Sequence, residues 1–226
     1  MQYSWDFERL SKACTQGGCV LCRLAEEDTQ RYLETWKDET FTEVDIREVL
    51  RRSRGFCHTH TWQLVEMGAS LPLAVAYRDV ITDAIERLQQ AKGSYRRHWF
   101  ETRRELTEPS APCPACQKKK QSLTRLIVSL REALPDTPFY TAFSASVGLC
   151  LPHFQLTCEL RPLDRVDIWL PLLRNAQLSC MQRLDEYLRE MIRKHDYRFR
   201  DEPRGDEMRS WQSAARIVAG ENERLT

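Results

Sequence analysis

The sequence lacks several features that would indicate a membrane, fibrous or disordered protein. Only eight of its 226 residues are glycine, and it has no long low-complexity tract. No apolar run approaches the roughly 20 residues that a membrane-spanning helix needs. The net charge is only +1, so no overall field attracts the chain to nucleic acid or to a membrane surface. These absences favour a soluble, globular, helix-rich protein that is long enough to bury a core.

The N-terminal residues also lack a recognisable export signal. The segment Met-Gln-Tyr-Ser-Trp-Asp-Phe-Glu has neither the apolar stretch nor the cleavage pattern of a signal peptide. We therefore expect a cytoplasmic protein that is not associated with a membrane. The chain has nine cysteines, and in a reducing compartment these are more often metal ligands or redox groups than structural disulfides.

Two stretches of the chain repeat one cysteine and histidine pattern. The first contains Cys19-Val-Leu-Cys22 and, with 34 residues between Cys22 and it, Cys57 within Gly55-Phe-Cys57-His-Thr-His60. The second contains Cys113-Pro-Ala-Cys116 and, with 33 residues between Cys116 and it, Cys150 within Gly148-Leu-Cys150-Leu-Pro-His153. The matched spacing predicts an internal duplication of one helical unit.

Each stretch supplies three cysteines and one histidine, a ligand set that is typical of structural zinc. Two residues between paired ligands allow both side chains to reach one metal ion, and a helix N-terminus favours thiolate. We therefore expect two metal sites, each formed within one half of the chain. Their predicted ligands are Cys19, Cys22, Cys57 and His60 for the first site, and Cys113, Cys116, Cys150 and His153 for the second. The pattern leaves open that ligands are exchanged between the halves.

Helical periodicity predicts an all-α fold of two pseudo-repeated helical-hairpin units joined by long helices. In the first unit, helices over 22–36 and 42–54 would cover about 21 and 18 Å at about 1.5 Å per residue, which would return Cys57 to the level of Cys19. In the second unit, a helix over 117–133 and a shorter return over 139–147 repeat the plan. We predict two metal-binding units, residues 1–107 and 108–226, that pack together as one body.

Longer helices and the remaining cysteines complete this prediction. Helices are predicted from Pro72 to about residue 106, over 164–195 and over 211–218. Cys14, Cys158 and Cys180 fall outside both motifs and are expected to be buried in helices, although Cys14 is an alternative ligand near the first site. His58 has Leu151 in the matching position of the second motif, so it is expected to be exposed rather than a ligand.

Other chemistries remain as alternatives to zinc. The same thiolates can hold an iron–sulfur cluster, which would make the protein a redox or sensor protein. The two C-x-x-C pairs can also act as redox dithiols, but that role leaves both C-x-x-H pairs without a purpose. A zinc enzyme would need a site with three protein ligands and a water molecule. Basic clusters such as residues 51–54 and 118–120 would bind nucleic acid only if they met on one face.

The sequence resembles an uncharacterised bacterial domain family of unknown function that has the duplicated C-x-x-C and G-x-C-x-x-H plan. The resemblance includes Gly55-Phe-Cys-His-Thr-His60, Leu73-Ala-Val-Ala-Tyr-Arg-Asp79, and the C-terminal stretch from Tyr197-Arg-Phe-Arg-Asp-Glu202 through Ser210-Trp211 to Gly220. It implies a cytosolic metal-binding protein and no established activity.

No catalytic constellation is found in the chain, which lacks a nucleophile elbow and a phosphate-binding loop. We therefore expect a non-enzymatic interaction or regulatory protein that binds two zinc ions and a protein partner.

Overall fold

The structure is a computed structural model that describes residues 5–90, 109–199 and 201–221, and every regular element in these ranges is helical. The α-helices are α1 (Trp5–Cys14), α2 (Val20–Thr35), α3 (Val44–Ser53), α4 (His58–Glu66), α5 (Ser70–Gln90), α6 (Pro114–Ala133), α7 (Thr137–Ala145), α8 (Leu151–Glu159), α9 (Val166–Lys194) and α10 (Ser210–Ala219). A π-helical segment (Trp36–Thr40) follows α2, and two 3₁₀ segments (Tyr197–Phe199 and Asp206–Arg209) precede α10.

The all-α prediction is confirmed, and the predicted helices lie close to the observed ones. The helix expected over 164–195 is α9, and the one expected over 211–218 is α10. The helix expected from Pro72 begins two residues earlier, at Ser70, and its predicted extension over 91–106 lies outside the described residues. Within the described ranges, no helix has both the length and the hydropathy of a membrane span.

The chain divides into two compact units, each of which contains one hydrophobic cluster. Unit 1 comprises Met1–Glu27 with Ser122–Thr226, and unit 2 comprises Asp28–Gln121. The predicted boundary between residues 107 and 108 lies outside the described residues. The internal duplication stays a prediction that rests on the spacing of the motifs.

The core of unit 1 brings α2, α6, α7 and α9 together. Leu21, Leu126, Phe143 and Leu173 have no exposed side-chain surface, and the rings of Phe139 and Phe143 stack with their centroids 6.0 Å apart. These side chains pack against Cys19 and Cys150, so the core of unit 1 directly supports two of the predicted metal ligands.

The core of unit 2 is built around the indole of Trp36, at the start of the π-helical segment. Its ring meets the edge of Phe56 at a centroid distance of 5.0 Å and an interplanar angle of 80°. Leu50, Leu64 and Ala115 belong to the same buried cluster. Since Phe56 directly precedes Cys57, this packing fixes the loop that carries a predicted ligand.

Candidate metal centres

The structure brings the eight predicted ligand residues together as two groups of three cysteines and one histidine. Site 1 consists of Cys19, Cys22, Cys150 and His153. Site 2 consists of Cys57, His60, Cys113 and Cys116. Within each group the ligand atoms all lie within 4.8 Å of one another. All ligands of site 1 belong to unit 1, and all ligands of site 2 belong to unit 2.

The predicted grouping within each half of the chain is therefore wrong: each C-x-x-C pair meets the C-x-x-H pair of the other half. The reason lies in the helix lengths. The outgoing helix α2 with the π-helical segment runs for about 30 Å, whereas the return helix α3 has 10 residues and covers only about 15 Å. In the second half, α6 has 20 residues and α7 has 9. Neither α3 nor α7 is long enough to bring the C-x-x-H pair that follows it back to the C-x-x-C pair of the same half.

All four ligand pairs occupy the start of a helix. Cys19, Cys57, Cys113 and Cys150 each lie immediately before the first helical residue, and the second ligand of each pair lies three residues later. The carbonyl of each leading cysteine accepts the first hydrogen bond of its helix, at 2.8–3.1 Å. Residues in these two positions of a helix N-terminus face one another, as they do in a capping box. The spacing C-x-x-C or C-x-x-H follows from this local geometry.

A glycine two residues before Cys57 and another before Cys150 allow the chain to enter these helices. Gly55 and Gly148 have φ values of +89° and +76°, which are strained for other residues. A β-carbon on Gly148 would lie 2.8 Å from Oε1 of Gln177, and one on Gly55 would lie 3.0 Å from the ring of Tyr77. Both turns are therefore closely packed as well as left-handed.

Each of these turns is held by a side chain that the sequence analysis did not single out. In site 1, the Gln177 amide accepts a hydrogen bond from the Leu149 backbone N–H at 2.9 Å and donates one to the Leu149 carbonyl at 2.8 Å. In site 2, the Tyr77 hydroxyl accepts a hydrogen bond from the Phe56 backbone N–H at 3.4 Å and lies 2.6 Å from Thr61 Oγ1. Gln177 lies on the buried face of α9. A polar residue among the apolar residues of that face is the sequence feature that could have identified it as a hydrogen-bonding partner.

The distances within the two sites are closely similar. In site 1, Cys22 Sγ lies 3.7 Å from Cys150 Sγ, and the three sulfurs lie 3.2–3.5 Å from His153 Nδ1. In site 2, Cys57 Sγ lies 3.7 Å from Cys116 Sγ, and the three sulfurs lie 3.1–3.5 Å from His60 Nδ1. The sulfur pairs are well beyond the length of a disulfide, about 2.05 Å, so all of these cysteines are free.

Three sulfurs at such distances interact strongly. Burial raises the pKa of Cys19 well above its usual range, and the neighbouring thiols raise it further. Hydrogen bonds from Cys19 and Cys22 lower the pKa of Cys150 to about 3. In site 2, burial together with Cys113 and Cys57 raises the pKa of Cys116 to about 12. Each group therefore needs a cation before all three of its sulfurs can be thiolates.

The two sites differ in their accessibility to solvent. In site 1, Cys19 and Cys150 are buried, and Cys22 is half-buried. The C-terminal end of α10 covers this site: a β-carbon on Gly220 would lie 3.8 Å from Cys22 Sγ and 3.9 Å from Cys150 Sγ. In site 2, by contrast, Cys116 is exposed.

The remaining cysteines and His58 lie outside both sites, as expected. Cys14 and Cys180 are buried and Cys158 is half-buried. None of the three belongs to a ligand group, so the alternative role of Cys14 as a ligand is not supported by the geometry. His58 is exposed.

Comparison with known proteins places the chain within a family. No curated protein and no solved structure matches it. A sequence family described as "Family of unknown function (DUF6062)" matches residues 10–224, which is nearly the whole chain. The chain belongs to this family of unknown function, and among its described residues two groups of three cysteines and one histidine could each hold a metal ion.

Proposed function

We propose that the protein binds two zinc ions as structural ions, one in each unit, and acts in the cytoplasm as a non-enzymatic interaction or regulatory protein. The proposal rests on the two four-ligand groups, whose ligand atoms converge within 4.8 Å. Each group provides all four ligands of a tetrahedral ion from one unit of the chain.

The distances support a single ion in each site. Zinc–sulfur and zinc–nitrogen bonds of about 2.3 and 2.0–2.1 Å at tetrahedral angles place two sulfurs about 3.8 Å apart and a sulfur about 3.5 Å from a nitrogen. The corresponding contacts are 3.7 Å between sulfurs in both sites and 3.1–3.5 Å between sulfur and nitrogen. In an iron–sulfur cluster the four ligands are divided among two or more iron atoms, and ligands on different iron atoms lie farther apart than ligands on one ion.

The electrostatics also suit a divalent ion. Three thiolates and a neutral imidazole around Zn²⁺ leave a net charge of about −1. Two helix N-termini point at each site, α2 and α8 at site 1 and α4 and α6 at site 2. Each N-terminus carries roughly half a positive charge. The helix ends therefore offset the remaining negative charge.

A structural role is favoured over catalysis because both ligand sets are complete. A catalytic zinc ion keeps one coordination position for water or substrate, whereas four protein ligands fill a tetrahedral ion. A protein partner is favoured because α4, which begins directly after Cys57 and contains His60, exposes large apolar side chains. Trp62 is 54% exposed and Val65 is 46% exposed, and they lie three residues apart on one side of the helix.

The first experiment is elemental analysis with a visible spectrum on protein purified without air. We expect about two zinc ions per chain and a colourless solution, because Zn²⁺ has a filled d shell. Iron with acid-labile sulfide and a visible absorption would instead assign the sites to clusters and favour a redox or sensor protein. Absence of any metal would contradict the proposal and would leave thiol chemistry as the role of the cysteines.

A ligand variant and a matched control assign the metal to the sites. Cys57→Ser should lose about one ion per chain and lower the melting temperature, because metal binding is coupled to folding. Cys158→Ser makes the same chemical change at a half-buried cysteine outside both sites and should keep both ions. Unchanged metal content and melting in Cys57→Ser would remove this residue from the ligand set.

A further inference from the structure

Cys116 differs from every other cysteine of the protein in its accessibility. All nine cysteines lie within the described ranges, and Cys116 alone among them is exposed. It is also one of three sulfur ligands in site 2, so a reagent in solution can reach a metal-binding sulfur there directly.

A second sulfur lies within reach of Cys116. Cys57 Sγ lies 3.7 Å away and is half-buried. The two atoms would need to approach by about 1.7 Å to reach the length of a disulfide bond, about 2.05 Å. Because Cys57 and Cys116 come from the starts of two different helices, small movements of either helix end change this distance.

Site 1 contains the same sulfur geometry in a shielded position. Cys22 Sγ and Cys150 Sγ also lie 3.7 Å apart, but Cys150 is only 1% exposed. A β-carbon on Gly220 would lie within 4 Å of both sulfurs, and the backbone N–H of Cys19 donates a hydrogen bond to the Glu221 carboxylate at 3.4 Å. The two sites thus have matched chemistry and different access.

From this contrast we propose that site 2 is a thiol-modification site at which small disulfides oxidise Cys116 and Cys57 and release the metal ion, while site 1 keeps its ion. The proposal rests on the proposed metal binding. It assigns a structural role to site 1 and a redox-responsive role to site 2.

The reaction balances as two thiol–disulfide exchanges. The Cys116 sulfur attacks one sulfur of the small disulfide, which forms a mixed disulfide and releases one small thiolate. The Cys57 sulfur then attacks Cys116 Sγ, which forms the Cys57–Cys116 disulfide and releases the second small thiolate. The protein loses two electrons, and the small disulfide gains them. The metal ion leaves as a divalent cation with its oxidation state unchanged, because two of its four ligands are lost.

The neighbouring charges favour anionic disulfides. Lys119 and Lys120 follow Cys116 by three and four residues in α6, so they lie on the same side of that helix. Positive charge beside the site attracts carboxylate-bearing disulfides such as oxidised glutathione.

The experiment follows metal release from wild-type protein treated with oxidised glutathione under air-free conditions, with a zinc-sensitive dye and with peptide mapping of the cross-linked cysteines. We expect about one ion per chain to be released in a first phase that is at least about tenfold faster than loss of the second ion. The cross-link that accompanies this phase should join Cys57 to Cys116. Adding a thiol reductant and zinc should restore two ions per chain.

Two variants assign the kinetic phases. In Cys22→Ser, which disrupts site 1, the remaining ion should be released rapidly; in Cys116→Ser, which disrupts site 2, the remaining ion should be retained. The wild-type cross-link map gives the same assignment if either variant fails to fold. Equal release from both sites, or a first cross-link within site 1, would overturn this inference and leave the two-zinc proposal intact. A wild-type preparation without metal would overturn both.

Discussion

Single residues position the ligands of these sites, and the glycines two residues before Cys57 and Cys150 are constrained by both backbone conformation and packing. Gly148 adopts a left-handed backbone conformation and packs against Gln177, which itself holds the Leu149 peptide. Leu149 directly precedes Cys150. A backbone shift at Gly148 would therefore also displace Cys150, a predicted metal ligand.

Gly148→Ala should lower the free energy of unfolding and weaken metal binding at site 1. The left-handed conformation alone costs alanine about 1–2 kcal/mol, and the new β-carbon would lie 2.8 Å from Gln177 Oε1. Gly68→Ala is the matched control, because Gly68 has a similar φ of +70° and no atom within 4 Å of the added carbon. Urea denaturation of both metal-loaded variants measures the difference. An equal decrease in the free energy of unfolding in both variants would show that Gln177 moves away from the added carbon without destabilising the protein.

Zinc binding should release protons, and the apparent affinity should fall as the pH is lowered. The pKa of Cys19 is raised and that of Cys116 is raised to about 12, so without metal both thiols are protonated at pH 7. Zinc binds their thiolates, so each site must lose at least about one proton at that pH. Hydrogen bonds from Cys19 and Cys22 lower the pKa of Cys150, so this cysteine should contribute less to the proton release.

Calorimetric titration of metal-free protein in two buffers with different ionisation enthalpies counts these protons. The observed enthalpy should differ between the buffers in proportion to the protons released. Enthalpies that are independent of the buffer would contradict the protonated state of Cys19 and Cys116.

At the scale of elements, the sequence predicted the helices and the eight residues that converge in two groups, but not which pairs of these residues meet. Cys57 and His60 are brought together by the first turn of one helix, and this local geometry follows from three-residue spacing. The partner of that turn depends on how far α2 and α3 travel and on where Trp36 and Phe56 pack. The difference in length between the helices would have indicated the exchange of partners. The first helix was predicted to end at Trp36, but the π-helical segment continues it to Thr40 and so places its far end beyond the reach of α3.

Paired substitutions distinguish the observed grouping from the predicted one. The double variant Cys57→Ser with Cys116→Ser disrupts one site in the structure and should retain about one ion per chain. Cys22→Ser with Cys57→Ser disrupts two sites and should retain none. If each hairpin instead held its own ion, the two results would be exchanged. The control Cys14→Ser with Cys158→Ser removes two cysteines that lie outside both sites and should retain two ions.

At the scale of the whole molecule, each metal site belongs to one of the two compact units. Cys19 and Cys22 come from the first segment of unit 1, and Cys150 and His153 come from its second segment. An ion at site 1 would therefore join segments that are distant in sequence, which would offset part of the entropy cost of closing a long loop. In unit 2, site 2 likewise joins the turn before α4 to the start of α6.

Loss of one ion should therefore reduce hydrogen-exchange protection mainly in the unit that held it. In the double variant Cys57→Ser with Cys116→Ser, amides in α4 and in the first turns of α6 should exchange faster, because metal binding contributes to the local opening free energy. Amides at the start of α8, which follows Cys150 and contains His153, should keep the protection of the wild type. Mass-spectrometric hydrogen exchange at one temperature measures both regions in the same sample. The reciprocal variant, Cys22→Ser with Cys150→Ser, should reverse the pattern. Equal loss of protection in α4 and α8 in both variants would contradict the assignment of one ion to each unit and would mean that both ions stabilise a single cooperative structure.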